Sequence, residues 1–151
     1  MRRRSRSMSD DDGSAALEFI TVGVLLLVPL VYLILALGAI QEQSMGVEAA
    51  ARHTARIIAD APDAAAAGAR GDQAIANISA QYGMDADAIS VAMTCEPEGV
   101  ACPSAGATIT VTVVTEVRLP LVPEVLGLHE AASVRVEGVA VQKLSRLWGA
   151  G

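Results

Sequence analysis

Aromatic residues are scarce in this chain: one Trp, two Tyr and one Phe amount to 3% of 151 residues, although 52% are hydrophobic. A soluble core built from such a sequence is thin and consists of Ala, Val, Ile and Leu. Clustered basic residues are also missing after Arg6, and the formal net charge is -6. That balance argues against nonspecific nucleic-acid binding, which draws on grouped Lys and Arg. Catalytic and nucleotide-binding signatures are absent: there is no Gly-x-Ser-x-Gly elbow, no Gly-x-x-x-x-Gly-Lys-Ser/Thr loop and no His-Glu-x-x-His pair. The histidines, His53 and His129, have no triad or ligand partner at a recognisable offset and read as surface or partly buried side chains. Asp85-Ala86-Asp87 begins like a calcium loop but lacks the Gly and distal Glu such a loop needs, so it reads as a solvated turn. Asn77-Ile78-Ser79 fits a glycosylation sequon but falls inside a predicted helix and carries no weight. No cofactor is implied, and an envelope enzyme is poorly supported.

Cysteine is limited to Cys95 and Cys102. Six intervening residues fit neither a Cys-x-x-Cys redox pair nor a zinc knuckle, and no His or further Cys stands near enough to complete a zinc pattern. A disulfide closing the loop between two strands is the favoured reading; two isolated structural thiols remain the alternative. A bridge would persist in a domain exported from the cytoplasm and would contribute roughly 2.5 kcal/mol at most through chain entropy.

What the chain does have is a long apolar run without charge, Phe19 to Ile40. It covers about 22 residues, which at ~1.5 Å each cross a hydrocarbon core of about 30 Å as a helix. A secretory signal would be shorter and end in an Ala-x-Ala-like site, whereas Gln41-Glu42-Gln43 follows here. Arg2, Arg3, Arg4 and Arg6 lie upstream, and the positive-inside rule gives Asp10, Asp11 and Asp12 little weight against them. The N-terminus is therefore expected in the cytoplasm and the C-terminal part outside. Pro29 removes one backbone donor at mid-span and is expected to bend the helix.

Beyond Ile40, Met45, Val47, Ala50, Ala51, Thr54, Ala55, Ile57 and Ile58 follow a largely helical spacing, so the helix is expected to continue to about Asp60. Glu48 and Arg52 stand at i, i+4 in the favourable order, as on a solvated face. Pro62 interrupts, and Asp63 to Ala69, with Gly68 and Gly71 as weak points, reads as a hinge or a loose helical turn. A second helix is predicted from Asp72, as N-cap, to Tyr82, with Ile75, Ile78 and Tyr82 on one face and Gly83 as the stop. After Gly83 the period becomes alternating. Ile89 to Thr94, Ile109 to Val113 and Ser133 to Val141 read as strands, with a turn region at Pro120, Pro123 and Gly127 before the third. An antiparallel meander on the long helix gives an α+β class: a long N-terminal transmembrane and amphipathic helix, a second short helix, and a three-stranded sheet with a disulfide-closed loop.

The residues Asp12-Gly13-Ser14-Ala15-Ala16-Leu17-Glu18-Phe19, the stretch from Val24 to Tyr32 and the helix from Gln41 to Arg56 resemble the TadE/TadG-like minor pseudopilins of bacterial tight-adherence pili, especially actinobacterial forms. The resemblance covers the N-terminal 60 residues well and the remainder only in general plan. It implies a chain divided into a basic leader (1–13) removed after Gly13, a transmembrane helix (14–40), its extramembrane continuation (41–60) and a small extracytoplasmic α+β domain (61–151). It implies a prepilin peptidase cutting at the cytoplasmic face and leaving Ser14 with a charged amine, since an α-amino group has a pKa of about 8. Glu18, with Phe19 beside it, is then implied in subunit assembly by pairing with the Ser14 amine of a neighbour. Partners implied are the lipid bilayer, other pilin or pseudopilin subunits, the peptidase and the pilus assembly platform, at the bacterial cytoplasmic membrane as a single-pass protein. From the residues alone, a carboxylate at this depth also fits a membrane-edge position that reaches the headgroups. The function expected is that of a minor subunit or assembly factor; the alternative is an uncleaved, membrane-anchored extracytoplasmic interaction module.

Overall fold

A computed structural model describes residues 11–122 and 132–150. The leader residues 1–10 lie outside the described residues, as do Pro123, Gly127 and His129 of the β2–β3 connection. Five main elements follow in order: helix α1 (Asp11–Ala59), helix α2 (Ala64–Gln81) and strands β1 (Ser90–Glu96), β2 (Thr108–Arg118) and β3 (Ser133–Lys143). The chain falls into two compact units, Met1–Leu37 and Gly38–Gly151.

In the first unit, α1 carries Pro29 within its helical run, and its leucines and valines, Leu25 and Leu26 among them, are exposed. Such a surface is unfavourable in water and suited to lipid. α1 is the one helix among the described residues that is long and apolar enough to cross a membrane.

In the second unit, the part of α1 from Gly38 onward buries Val47, Ala50, Ala51, Ala55 and Ile58. These positions recur at helical spacing and form one cluster with Ile109, Val111, Val113 and Val117 of β2 and Val136 of β3. Strict alternation along β2 places its odd-numbered residues inward and Thr108, Thr110 and Thr112 outward, half-buried. The sheet is an antiparallel meander of order β1-β2-β3. Register pairs Met93 with Val111 and Val111 with Ala140, so all three side chains share the inner face. The fold class is thus α+β, with the expected helices, strands and disulfide.

Two expectations about α2 are corrected. It begins at Ala64, and its N-cap is Asp63, whose Oδ1 accepts from the Ala66 N–H at 2.8 Å. Asp72 lies inside the helix, and the segment from Ala64 through Gly71 is regular helix with no hinge. Gly71 is buried facing Thr54 and Ile58 of α1, with room for a Cβ at 3.6 Å from Thr54 Cγ2, so the burial of this face and the Asp63 cap outweigh the glycine's helix cost of about 1 kcal/mol. The stop at Gly83 is as expected. Its φ is +59°, and the Met84 N–H reaches back to Ser79 O at 2.8 Å, the six-to-one bond of a Schellman motif.

Candidate functional site

The residues singled out at the head of the apolar run all fall on the first turns of α1. Gly13 and Ser14 lie in its opening turn, and Glu18 and Phe19 follow one turn further. Both Glu18 and Phe19 are exposed, Phe19 at 80%. Ser14 and Glu18 stand at i, i+4 along α1. The Thr21 hydroxyl turns back onto Leu17 O at 2.7 Å and is satisfied within the helix. Among the described residues no hydrogen bond or ion pair to Glu18 is recorded, in a stretch that is mostly apolar.

Cys95 and Cys102 are joined, with Cα atoms 5.6 Å apart. The bridge ties the end of β1 to the connection leading into β2, which continues to Ala107, whose carbonyl accepts from the Leu144 N–H at 2.8 Å. Replacing both cysteines with serine is expected to cost about 2 kcal/mol by releasing this loop in the unfolded chain. A thermal melt of the double variant checks the cost. Alkylation of the wild type under non-reducing conditions is expected to modify neither thiol, and modification of both would overturn the native bridge.

A cavity of about 350 Å³ opens between the helices and the free edge of the sheet, lined by Thr54 and Ile58 of α1, Gly71 and Ile75 of α2, and Val91 and Met93 of β1. It exists because β1 is an edge strand whose inner face the helices only partly cover, leaving Val91 and Met93 exposed. The Thr54 hydroxyl beside it is buried without a hydrogen-bond partner among the described residues. Asp72 is the single ionisable side chain among the lining residues described, so the cavity offers apolar surface and little acid–base chemistry. Sequence periodicity did not reveal it, because it depends on where α2 lies over β1. The nearest signal is the short edge strand itself.

The remaining polar candidates are structural. His53 sits exposed on α1 beside Asp60, Arg70, Gln73 and Asn77 in a shallow surface depression. Ser79 of the sequon is buried, and its hydroxyl donates to Ile75 O at 2.6 Å. Asp85 caps a single 3-10 turn, Ala86–Ala88, by accepting from the Asp87 N–H at 3.1 Å, and it pairs with Arg118 at 3.4 Å. Glu48 and Arg52 form the expected ion pair on the solvated face of α1. No group of three or more His, Cys, Asp or Glu that could hold a metal occurs among the described residues. Compared with protein-family models, curated proteins and solved structures, the chain matches none.

Proposed function

We propose that this chain is a single-pass membrane protein of the TadE/TadG-like pseudopilin kind, a non-enzymatic minor subunit or assembly factor of a tight-adherence pilus or related secretion apparatus. The observation that carries the reading is the head of α1: a small residue at Gly13, a charge-free stretch to Leu17, then Glu18-Phe19 opening a helix long and apolar enough to span. The four upstream arginines favour a cytoplasmic N-terminus. The Cys95–Cys102 bridge favours an oxidising compartment for the folded unit on the other side. Both support an orientation with the leader on the side where a prepilin peptidase would act and the folded unit on the other. Cleavage after Gly13 creates an amine at Ser14, at the end of a helix whose macrodipole is already positive there. A carboxylate within reach offsets that charge. Glu18 of the same chain, one turn along, and Glu18 of a neighbour are the two groups that could do so. A neighbour's carboxylate would couple charge neutralisation to assembly.

The test is the N-terminal residue of protein extracted from membranes of cells with an active prepilin peptidase. Intact mass is expected to correspond to a chain beginning at Ser14, and Gly13→Leu is expected to leave the full-length chain uncut, because the peptidase site accepts only a small residue. Full-length wild-type protein in such cells would discard the pseudopilin reading in favour of an uncleaved anchored module that presents the Gly38–Gly151 unit to an envelope partner.

A further inference from the structure

Within the Gly38–Gly151 unit the helices cover one face of the sheet and leave the other bare. Val139 and Val141 of β3 are 51% and 64% exposed on that outer face, and Ala92 and Thr94 of β1 are exposed beside them. Register sets these side chains in rows across the three strands. Ala92, Thr112 and Val139 make one row, and Thr94, Thr110 and Val141 the next. Neither row holds a charge. An antiparallel sheet with one solvated face normally turns polar residues outward, so adjacent bare valines are out of pattern for a face that meets only water. The row beyond Thr110 ends in opposite charges: Glu96 and Lys143 flank Thr108 on the two outer strands. Both are exposed, and neither belongs to an ion pair among the described residues. The row beyond Thr112 consists of Ser90, Val114 and Glu137.

We propose that this outer face is a self-association surface whose occupant is the same face of a second copy, related by a two-fold axis running along β2. Such an axis keeps the strand direction and exchanges the outer strands, so β1 of each copy lies over β3 of the other, as two sheets pack in a sandwich. Glu96 of each copy then meets Lys143 of the other, which forms two charge pairs. Ala92, the smallest side chain of its row, meets Val139, the bulkiest. Thr110 and Thr112 lie next to the axis and face themselves, with hydroxyls that both donate and accept. Glu116 continues the axis beyond Val114, and Arg135, opposite it in register, supplies the counter-charge. A two-fold across the strands would instead pair Lys143 with Glu137, but it sets Val139 on Val141 and Ala92 on Thr94, bulk on bulk and small on small. Three strands at about 4.8 Å and four rows at about 7 Å span roughly 400 Å² per copy. The pair therefore buries about 800 Å², short of the ~1,200 Å² of a stable interface. The contact is weak alone and forms where copies are concentrated or held together by another segment. It requires neither cleavage after Gly13 nor the pseudopilin reading.

Full-length protein at high concentration in detergent, carrying Thr112→Cys near the axis or Gln73→Cys on the exposed side of α2, is treated with a short bismaleimide. The native cysteines are bridged and do not react. Thr112→Cys is expected to give crosslinked dimer roughly ten-fold faster than Gln73→Cys, because only the former holds two thiols together. Adding Lys143→Glu places like charges at both symmetry-related sites and is expected to lower that rate roughly ten-fold. Adding Glu96→Lys as well restores opposite signs and, with them, the rate. All of these positions are exposed or half-buried, so the melting temperature is expected to hold. Equal rates at positions 112 and 73 would overturn the interface. A rate at position 112 indifferent to Lys143→Glu would overturn the charge-matched arrangement. Rescue by Glu137→Lys in place of Glu96→Lys would overturn the axis along β2, since that pair forms only when the strands of the two copies run oppositely.

Discussion

Gly138→Ala is expected to destabilise the Gly38–Gly151 unit by about 3 kcal/mol or more, which corresponds to a fall in Tm of roughly 10–20 °C. A Cβ at Gly138 would stand 2.4 Å from both Val47 C and Val47 O, and 2.6 Å from Glu48 N. Ordinary contacts between such atoms need about 3.5 Å or more. No side chain can rotate away, since all three atoms are helix backbone, so β3 and α1 would have to move apart by about 1 Å. Separation at this point loosens Val47, Ala50, Val111 and Val113, which are all fully buried. Against a total stability of about 5–15 kcal/mol, that is a large fraction. Gly71→Ala is the matched control. Its Cβ would meet Thr54 Cγ2 at 3.6 Å, an ordinary contact, and a glycine inside a helix costs about 0.5–1 kcal/mol relative to alanine. That variant is expected to be neutral or slightly stabilising. Thermal melts of full-length protein in detergent, followed by Trp148 fluorescence, read both variants. Equal melting points for Gly138→Ala and wild type would show that the helix and strand are not in close contact.

The contrast between these two glycines shows where sequence reasoning reached and where it stopped. Period and propensity are local, and they located α1 to its end near Asp60, the alternation of β1, β2 and β3, and the stop at Gly83. Asp72 read as the N-cap, and Gly68 and Gly71 read as weak points, whereas the helix starts after Asp63 and runs through Gly71, which is buried facing Thr54 and Ile58 of α1. Gly138 likewise looks like a weak point in a valine-rich strand until Val47 is placed opposite it. Trp148 is the extreme case. Its indole N–H satisfies a carbonyl near the end of α1 that is 90 residues away in sequence, a pairing no periodicity can carry. The candidate site divides the same way. Gly13, Ser14, Glu18 and Phe19 are candidates drawn from the sequence alone, because the signature is contiguous. The cavity beside Val91 and Met93 became visible only once the sheet edge had been placed against the helices.

On the proposed pseudopilin reading, Glu18→Gln is expected to leave insertion and cleavage intact while lowering association with neighbouring subunits roughly five-fold to a hundred-fold. Removing one partner of a charge pair in a partly desolvated site costs about 1–3 kcal/mol, and each 1.4 kcal/mol is a factor of ten in association. The exposed position of Glu18 on α1 leaves its carboxylate available to another chain. Lipid offers no hydrophobic drive between helices, so a polar pair contributes disproportionately to specificity there. Two other roles for the carboxylate make different demands. As a membrane-edge residue it would gain from the substitution, because a charge at mid-bilayer costs about 2.5–3.5 kcal/mol and correspondingly less toward the interface. As the partner of the Ser14 amine on its own helix, one turn away, its loss would leave association between chains unchanged. Photocrosslinking from Phe19, with the intact mass of each variant recorded alongside, separates these cases. A crosslinking yield in Glu18→Gln equal to that of the wild type, with both chains cut after Gly13, would sink the intersubunit pair and leave the carboxylate to its own helix or to the headgroups.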